Sequence, residues 1–212
     1  MENINKDDQY SLYELREEDL DPNPFKQFGK WFDAAQAADL VHPNAFTLAT
    51  SGSDQRPSAR MLLLKGFDEK GFVFYTNSES KKGSDLSDNP NGAICFWWGK
   101  LEQQIRIEGA VERIDDAEAD SYYASRPRGS QIGAWASEQS RVIRDREVLE
   151  SRYREIENEY EGRDLPRPPY WLGYILIPSS IEFWQGRPDR LHDRLLYKLL
   201  PEGGWLIERL AP

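Results

Sequence analysis

Apolar positions along the chain change their period as it proceeds, and each change marks an expected element. Between Asn23 and Ala38 they recur at helical spacing, with Phe25, Phe28, Trp31, Phe32 and Ala35 on one stripe. Asn23-Pro24 supplies a capping side chain and then a residue suited to the first helical turn, so a helix begins there. From Ala45 the period shortens. Ala45–Ser51, Ala59–Phe67, Gly71–Thr76, Ala93–Trp98 and Gln103–Ile114 are rich in β-branched and aromatic residues and predict strands. Asp68-Glu69-Lys70-Gly71 separates two of these runs at hairpin length. Asp115–Ser125 predicts a short helix. Asp145–Gly162 predicts a longer one, with Leu149, Tyr153, Ile156 and Tyr160 on one face and charges such as Glu150 and Arg154 paired one turn apart. Pro166, Pro168 and Pro169 end that region, and Trp171–Ile177, Ile181–Trp184, Leu195–Leu199 and Trp205–Leu210 return to strand character.

Many antiparallel-looking strands with few helices between them predict a mainly β fold of the α+β type, a closed or nearly closed barrel with flanking helices. A βαβ nucleotide-binding fold is excluded, because no Gly-rich turn joins a strand to a helix and no GxxxxGK loop occurs. No repeat or linker divides the chain. Residues 1–22, rich in Asp and Glu, read as a flexible arm or docking segment, and residues 23–212 as one domain.

Composition narrows the partners. Against 27 Lys and Arg stand 37 Asp and Glu, a net charge of −10, which disfavours nucleic acid and membrane surfaces, both themselves anionic. Cys95 is the single cysteine and there are two histidines, so neither an intramolecular disulfide nor a Cys/His zinc cluster is expected. No apolar run approaches the ~20 residues of a membrane span, and Met1–Tyr10 has no apolar signal region. A cytoplasmic protein is expected.

In so acidic a chain, clusters of cations stand out. Lys81-Lys82 lies among hydroxyls just beyond a strand, and Ser125-Arg126-Pro127-Arg128-Gly129-Ser130-Gln131 carries two guanidiniums held by a stiffening proline. Arginine grips phosphate as a planar fork, so the second reads as an oxyanion clamp; the alternative for each is a solvated surface loop. A third stretch, Glu182 to Arg194, holds Trp184, Arg187, Arg190, His192 and Arg194. Arg60 and Lys65 flank an apolar strand at odd separation, which places them on opposite faces. Together these clusters suggest two phosphorylated ligands, or one ligand with several anionic groups.

Longer blocks then become specific. Arg60-Met61-Leu62-Leu63-Leu64-Lys65, Phe74-Tyr75-Thr76-Asn77, Ser125 to Trp135, Gln139-Ser140, Glu182-Phe183-Trp184-Gln185-Gly186, Arg190-Leu191-His192-Asp193-Arg194 and Arg209-Leu210-Ala211-Pro212 occur in an order that resembles the pyridoxamine 5′-phosphate oxidase family from about Asn23 onward. The resemblance implies an FMN-binding split β-barrel that works as a homodimer with flavin at the subunit interface. It implies oxidation of pyridoxine 5′-phosphate or pyridoxamine 5′-phosphate to pyridoxal 5′-phosphate, by hydride transfer from C4′ to the flavin, with O2 as acceptor and H2O2 released. Carried over residue by residue, FMN contacts fall to Arg60, Met61, Leu62, Leu63, Leu64, Lys65, Tyr75, Thr76, Lys81, Lys82, Gln104, Gln139, Ser140, Trp184 and Arg194. Lys65, Tyr122, Arg126 and Ser130 would hold the substrate phosphate, while Arg190, Leu191 and His192 would sit at its ring, with Arg190 and His192 closest to the chemistry. Tyr10 matches a tyrosine of the family's N-terminal arm, but Asp7 stands where that arm often has Arg, and Lys81 where Arg is frequent.

Two other readings stay open at this point. One is a related split-barrel flavin oxidase acting on a phenazine-type compound, which would have no need of the phosphate clamp. The other is a flavin- or haem-binding module without turnover.

Overall fold

The structure, a computed structural model, describes residues 13–212. A helix, α1 (Pro24–Ala37), precedes four strands, β1 (Ala45–Ser51), β2 (Pro57–Leu63), β3 (Gly66–Asp68) and β4 (Gly71–Asn77). A short helix α2 (Lys81–Asp88) leads into β5 (Asn91–Trp98) and β6 (Gln103–Arg113). Three helices follow, α3 (Asp116–Ser125), α4 (Arg128–Ala136) and α5 (Arg146–Glu159), and then β7 (Trp171–Gln185), β8 (Asp193–Leu199) and β9 (Trp205–Arg209). Every strand pairing is antiparallel, in the order β2-β1-β5-β6-β7-β4-β3, with β8 and β9 added beside β7.

Strand β7 organises the barrel. Its first half pairs with β4 and its second half with β8, while β6 runs along its other edge from Tyr174 to Gln185. The sequence predicts two strands here, interrupted at Pro178. The chain stays extended because Pro178 sits opposite a bulge between Glu108 and Gly109, where the missing N–H breaks no ladder bond. Gly109 is required at that bulge, since a Cβ there would collide with the backbone of Ile177.

The predicted strand Ala59–Phe67 divides instead into β2 and β3. Leu64 donates its N–H to Asn44 O and Lys65 donates to Val73 O, so the chain changes pairing partner between those two residues. The predicted stripe of α1 forms as expected. Asn23 caps the helix at Phe25 and Lys26, and Phe25, Phe28, Trp31 and Ala35 are buried. Phe28 meets Phe67, Phe72, Phe96 and Trp98, closing one mouth of the barrel.

Helices α2 and α4 fall where the sequence reads as loops. Ser80 caps α2 through Gly83 N–H, and Pro127 opens α4 with no side-chain cap. Both are short and glycine-bearing, so local propensity is weak and packing decides. Among the described residues no helix is long and apolar enough to cross a membrane. Residues 14–21 lie against β8 and β9, with Leu15 buried and Asp21 O accepting the Tyr197 hydroxyl.

Candidate active site

A cleft of about 680 Å³ opens where the end of β2, the outer face of β4 and the α3–α4 corner meet. Its floor is aromatic. Tyr75 lies between Tyr122, at 4.2 Å between ring centres, and Trp171, at 4.9 Å, and all three rings are nearly parallel. Burial pushes the Tyr75 hydroxyl up to about 12, so it stays protonated at neutral pH. Lys65, Tyr122, Arg126 and Ser130, the set expected at a substrate phosphate, all line this one cleft.

Arg126 is the most informative of them. Its guanidinium carbon stands 4.7 Å from the centre of the Trp171 ring, and Nη1 is buried with no hydrogen-bond partner. An orphaned charged donor of this kind is costly unless something anionic arrives to use it. Its backbone is fixed by Gln131, a buried amide whose Nε2 donates to Ala124 O at 3.1 Å and Arg126 O at 3.0 Å, while Tyr123 donates to Gln131 O at 2.8 Å. Neither Gln131 nor Trp171 was among the expected site residues. Gln131 lies within the Ser125–Trp135 stretch that carries the resemblance, but nothing in its residue type signals that it bridges two helices.

A second cationic neighbourhood lies at the start of α2. Lys82 is 6% exposed, and its ammonium donates to Gln139 Oε1 at 2.6 Å and Ser80 Oγ at 3.0 Å. Both partners are neutral. Burial, and after it the charge of Arg60, brings the Lys82 ammonium down to about 8. Gly83 lets this turn approach Ser78 more closely than any Cβ would allow. Thr76 Oγ1 reaches Gln139 at 3.4 Å, and Ser140 Oγ accepts the Lys81 N–H at 3.3 Å. Thus Thr76, Lys81, Lys82, Gln139 and Ser140 converge on one neighbourhood.

Arg60 belongs to the same neighbourhood but does not line the cleft; the parity expected of one strand from Arg60 to Lys65 does not apply, because β2 ends at Leu63 and Lys65 follows the break. Arg60 donates to Leu48 O, Thr50 Oγ1 and Ser58 Oγ and stands 3.9 Å from Asp85. Asp85, an acid no sequence pattern singled out, also holds Lys81 at 2.5 Å. Burial raises its carboxyl, but hydrogen bonds from Lys81, Thr50 and Ser58 outweigh that and leave it below the usual range. Met61, Leu62 and Leu63 line the cleft, whereas the Leu64 side chain is in the barrel core, so at that position only backbone faces outward.

The remaining expected residues lie elsewhere on the chain. Gln104 and Trp184 are cross-strand partners on β6 and β7. Arg194 is held by the buried Glu182, at 2.8 and 3.2 Å, and by Ala211 O at 2.8 Å. His192 packs on Trp184, with ring centres 4.5 Å apart, and its Nδ1 accepts the Arg187 N–H at 3.1 Å. Burial, and then the neighbouring Arg190 charge, lowers its pKa. Leu191 and His192 line a separate shallow cleft of about 420 Å³ with the C-terminal residues, and none of Gln104, Trp184, Arg190, His192 and Arg194 borders the first cleft. Tyr10 and Asp7 lie outside the described residues.

An open antiparallel barrel with an aromatic, cation-lined cleft on its outer face defines the split-barrel class, with a site suited to anionic ligands. Comparisons with known proteins agree. Residues 32–160 match the family model described as Pyridoxamine 5′-phosphate oxidase, and residues 171–212 match that of the Pyridoxine 5′-phosphate oxidase C-terminal dimerisation region. Pyridoxine/pyridoxamine 5′-phosphate oxidases from a Nostoc species and from Cupriavidus metallidurans are each 56% identical over 96% of this chain and 95% of their own. PhzG from Burkholderia lata, solved in complex with tetrahydrophenazine-1-carboxylic acid, superposes with a TM-score of 0.87 at 33% identity, over 92% of this chain and 95% of its own. The chain belongs to the pyridoxine/pyridoxamine 5′-phosphate oxidase family and is an oxidoreductase of that family.

Proposed function

We propose that the protein oxidises pyridoxine 5′-phosphate or pyridoxamine 5′-phosphate to pyridoxal 5′-phosphate at an FMN site completed by two copies of the chain. The alcohol and O2 give the aldehyde and H2O2; the amine, O2 and water give the aldehyde, ammonia and H2O2. The observation that carries this reading is a pair of cations with no carboxylate partner among the described residues of an acidic protein: Lys82, buried and hydrogen-bonded to neutral partners, and Arg126, with an orphaned Nη1 over Trp171. Two phosphates, one on the cofactor and one on the substrate, account for both.

FMN, when bound, supplies the two-electron acceptor that O2 regenerates. Lys82, Lys81, Arg60, Thr76, Gln139 and Ser140 hold its phosphate end in this reading, and Met61, Leu62, Leu63, the Leu64 backbone and Tyr75 flank it. Lys65, Tyr122, Arg126 and Ser130 grip the substrate phosphate. Gln104, Trp184, Arg190, Leu191, His192 and Arg194 come from the second copy, since a single chain keeps them apart from the cleft. Fixing the phosphate at one end and the pyridine ring at the other restricts the reacting carbon to few orientations, which lowers the barrier by pre-organisation.

Anaerobic mixing of the FMN-loaded protein with each phosphorylated vitamer tests the proposal. The flavin absorbance should bleach and return on aeration with release of H2O2. Bleaching by a phenazine-type compound but by neither vitamer would replace this substrate with the one suggested by the PhzG likeness.

A further inference from the structure

Arg187 has no role in the site described above, yet it ties His192 to a distant part of the chain. Its Nη1 donates to Tyr13 O at 3.0 Å, its Nη2 to Glu14 Oε1 at 3.1 Å, and its Nε stands 3.7 Å from Asp193. Its own N–H is the donor to His192 Nδ1, at 3.1 Å. Asp193 in turn accepts Leu15 N–H at 3.1 Å and Arg209 Nη1 at 2.7 Å. Arg209 also grips both oxygens of Glu17, at 2.7 and 2.8 Å, and Leu15 O at 3.0 Å, with the Leu15 side chain buried beneath. Residues 13–17 thus cross the base of the loop that carries His192, and both feet of the loop, Arg187 and Asp193, are bound to them.

Between those feet the backbone is strained. Asp189 and Arg190 are consecutive non-glycine residues with φ of 57° and 60°. Each is a conformation that persists only where the surroundings impose it.

We propose that Arg187 is a positioning residue for the reaction: bound to Glu14 and Asp193, it holds the 187–193 loop so that its backbone N–H fixes the tautomer and ring orientation of His192. A neutral imidazole whose Nδ1 accepts a hydrogen bond carries its proton on Nε2. Among the described residues, the charged groups facing that loop include Arg190 and Arg187 on the loop itself, Asp193 beside it, Arg209 on β9 and Glu14 on the N-terminal segment; Trp184 on β7 packs against the ring. The Arg187–Glu14 pair is too exposed to add much stability by itself, so its effect lies in placement. The inference rests on the proposed role of His192 at the substrate ring.

The test uses the full-length, FMN-loaded protein labelled with 15N-histidine, in which His42→Asn assigns the second of the two imidazoles. Wild type should show His192 as the Nε2–H tautomer through neutral pH. Arg187→Ala should give mixed tautomers and a kcat for pyridoxine 5′-phosphate lower by about tenfold, with FMN affinity and KM within about twofold. Arg187→Lys should recover part of both, and Glu14→Gln should shift both in the same direction by less; this exposed change carries the test if Arg187→Ala does not fold. An active wild type whose His192 signature and kcat ignore Arg187→Ala and Glu14→Gln would overturn the clamp. An inert wild type whose His192 signature still responds would instead keep the clamp and remove the proposed reaction.

Discussion

Replacing Arg126 by leucine separates binding from folding in a way few substitutions can. In the ligand-free protein the guanidinium is half-buried and stacked on Trp171, but its Nη1 has no partner. The change therefore forfeits a cation–π contact of about 0.5–2 kcal/mol while removing a desolvation cost of about 1–3 kcal/mol. Thermal stability without ligand should stay level or rise. A bound phosphate reverses the balance, because at least one charge-assisted hydrogen bond of about 1.5–3 kcal/mol is lost, equivalent to about ten- to 150-fold in affinity. Steady-state assays with pyridoxine 5′-phosphate should show that loss in KM, while fluorescence titration shows FMN affinity unchanged. A drop in ligand-free stability of several degrees, or equal loss of FMN and substrate, would refute the reasoning: the first would make Arg126 a structural cation, the second would merge the two phosphate sites.

Lys82 predicts a pH dependence. Its folded pKa, about 8, lies below the ordinary lysine value, so the unfolded chain binds the extra proton between those limits and ligand-free stability rises with pH across that window. FMN binding has the opposite trend, since the phosphate needs the ammonium; affinity should weaken as pH climbs above 8, and Lys82→Met should flatten the curve measured by fluorescence titration. Gln131→Leu strips the Ala124 and Arg126 carbonyls of their donor. It should cost about 1–3 kcal/mol in urea denaturation and raise KM for the substrate more than it changes kcat.

How much of this was legible in the sequence depended on whether a residue's environment is local. The α1 stripe and most strand runs announce themselves, because burial on one face imposes a period of 3.6 or 2 on the residues themselves. The cations at Lys81-Lys82 and Arg126-Pro127-Arg128 were visible because an acidic chain has few such clusters. Helices α2 and α4 were not, since Lys81–Asp88 has a single large apolar residue and Arg128–Ala136 has two glycines and only one turn of apolar spacing, at Ile132, Trp135 and Ala136. Asp85 and Trp171 were missed for another reason: each matters through partners far along the chain, Asp85 through Thr50, Ser58 and Arg60, and Trp171 through Tyr75 and Arg126. The break after Leu63 was also hidden, because the switch from Asn44 to Val73 as backbone partner leaves no mark on residue type.

In the proposed enzyme a working site joins the Arg126 cleft of one chain to the His192 wall of another. Subunit mixing tests it most directly: Arg126→Leu and His192→Ala chains, each inactive at low substrate, are co-refolded in equal amounts with FMN. Random pairing makes about half the dimers hybrid, and each hybrid owns one site with both native residues, so about a quarter of wild-type activity should return. Activity no higher than the mean of the two parents would place both residues in a site built from one chain and contradict a site shared between subunits.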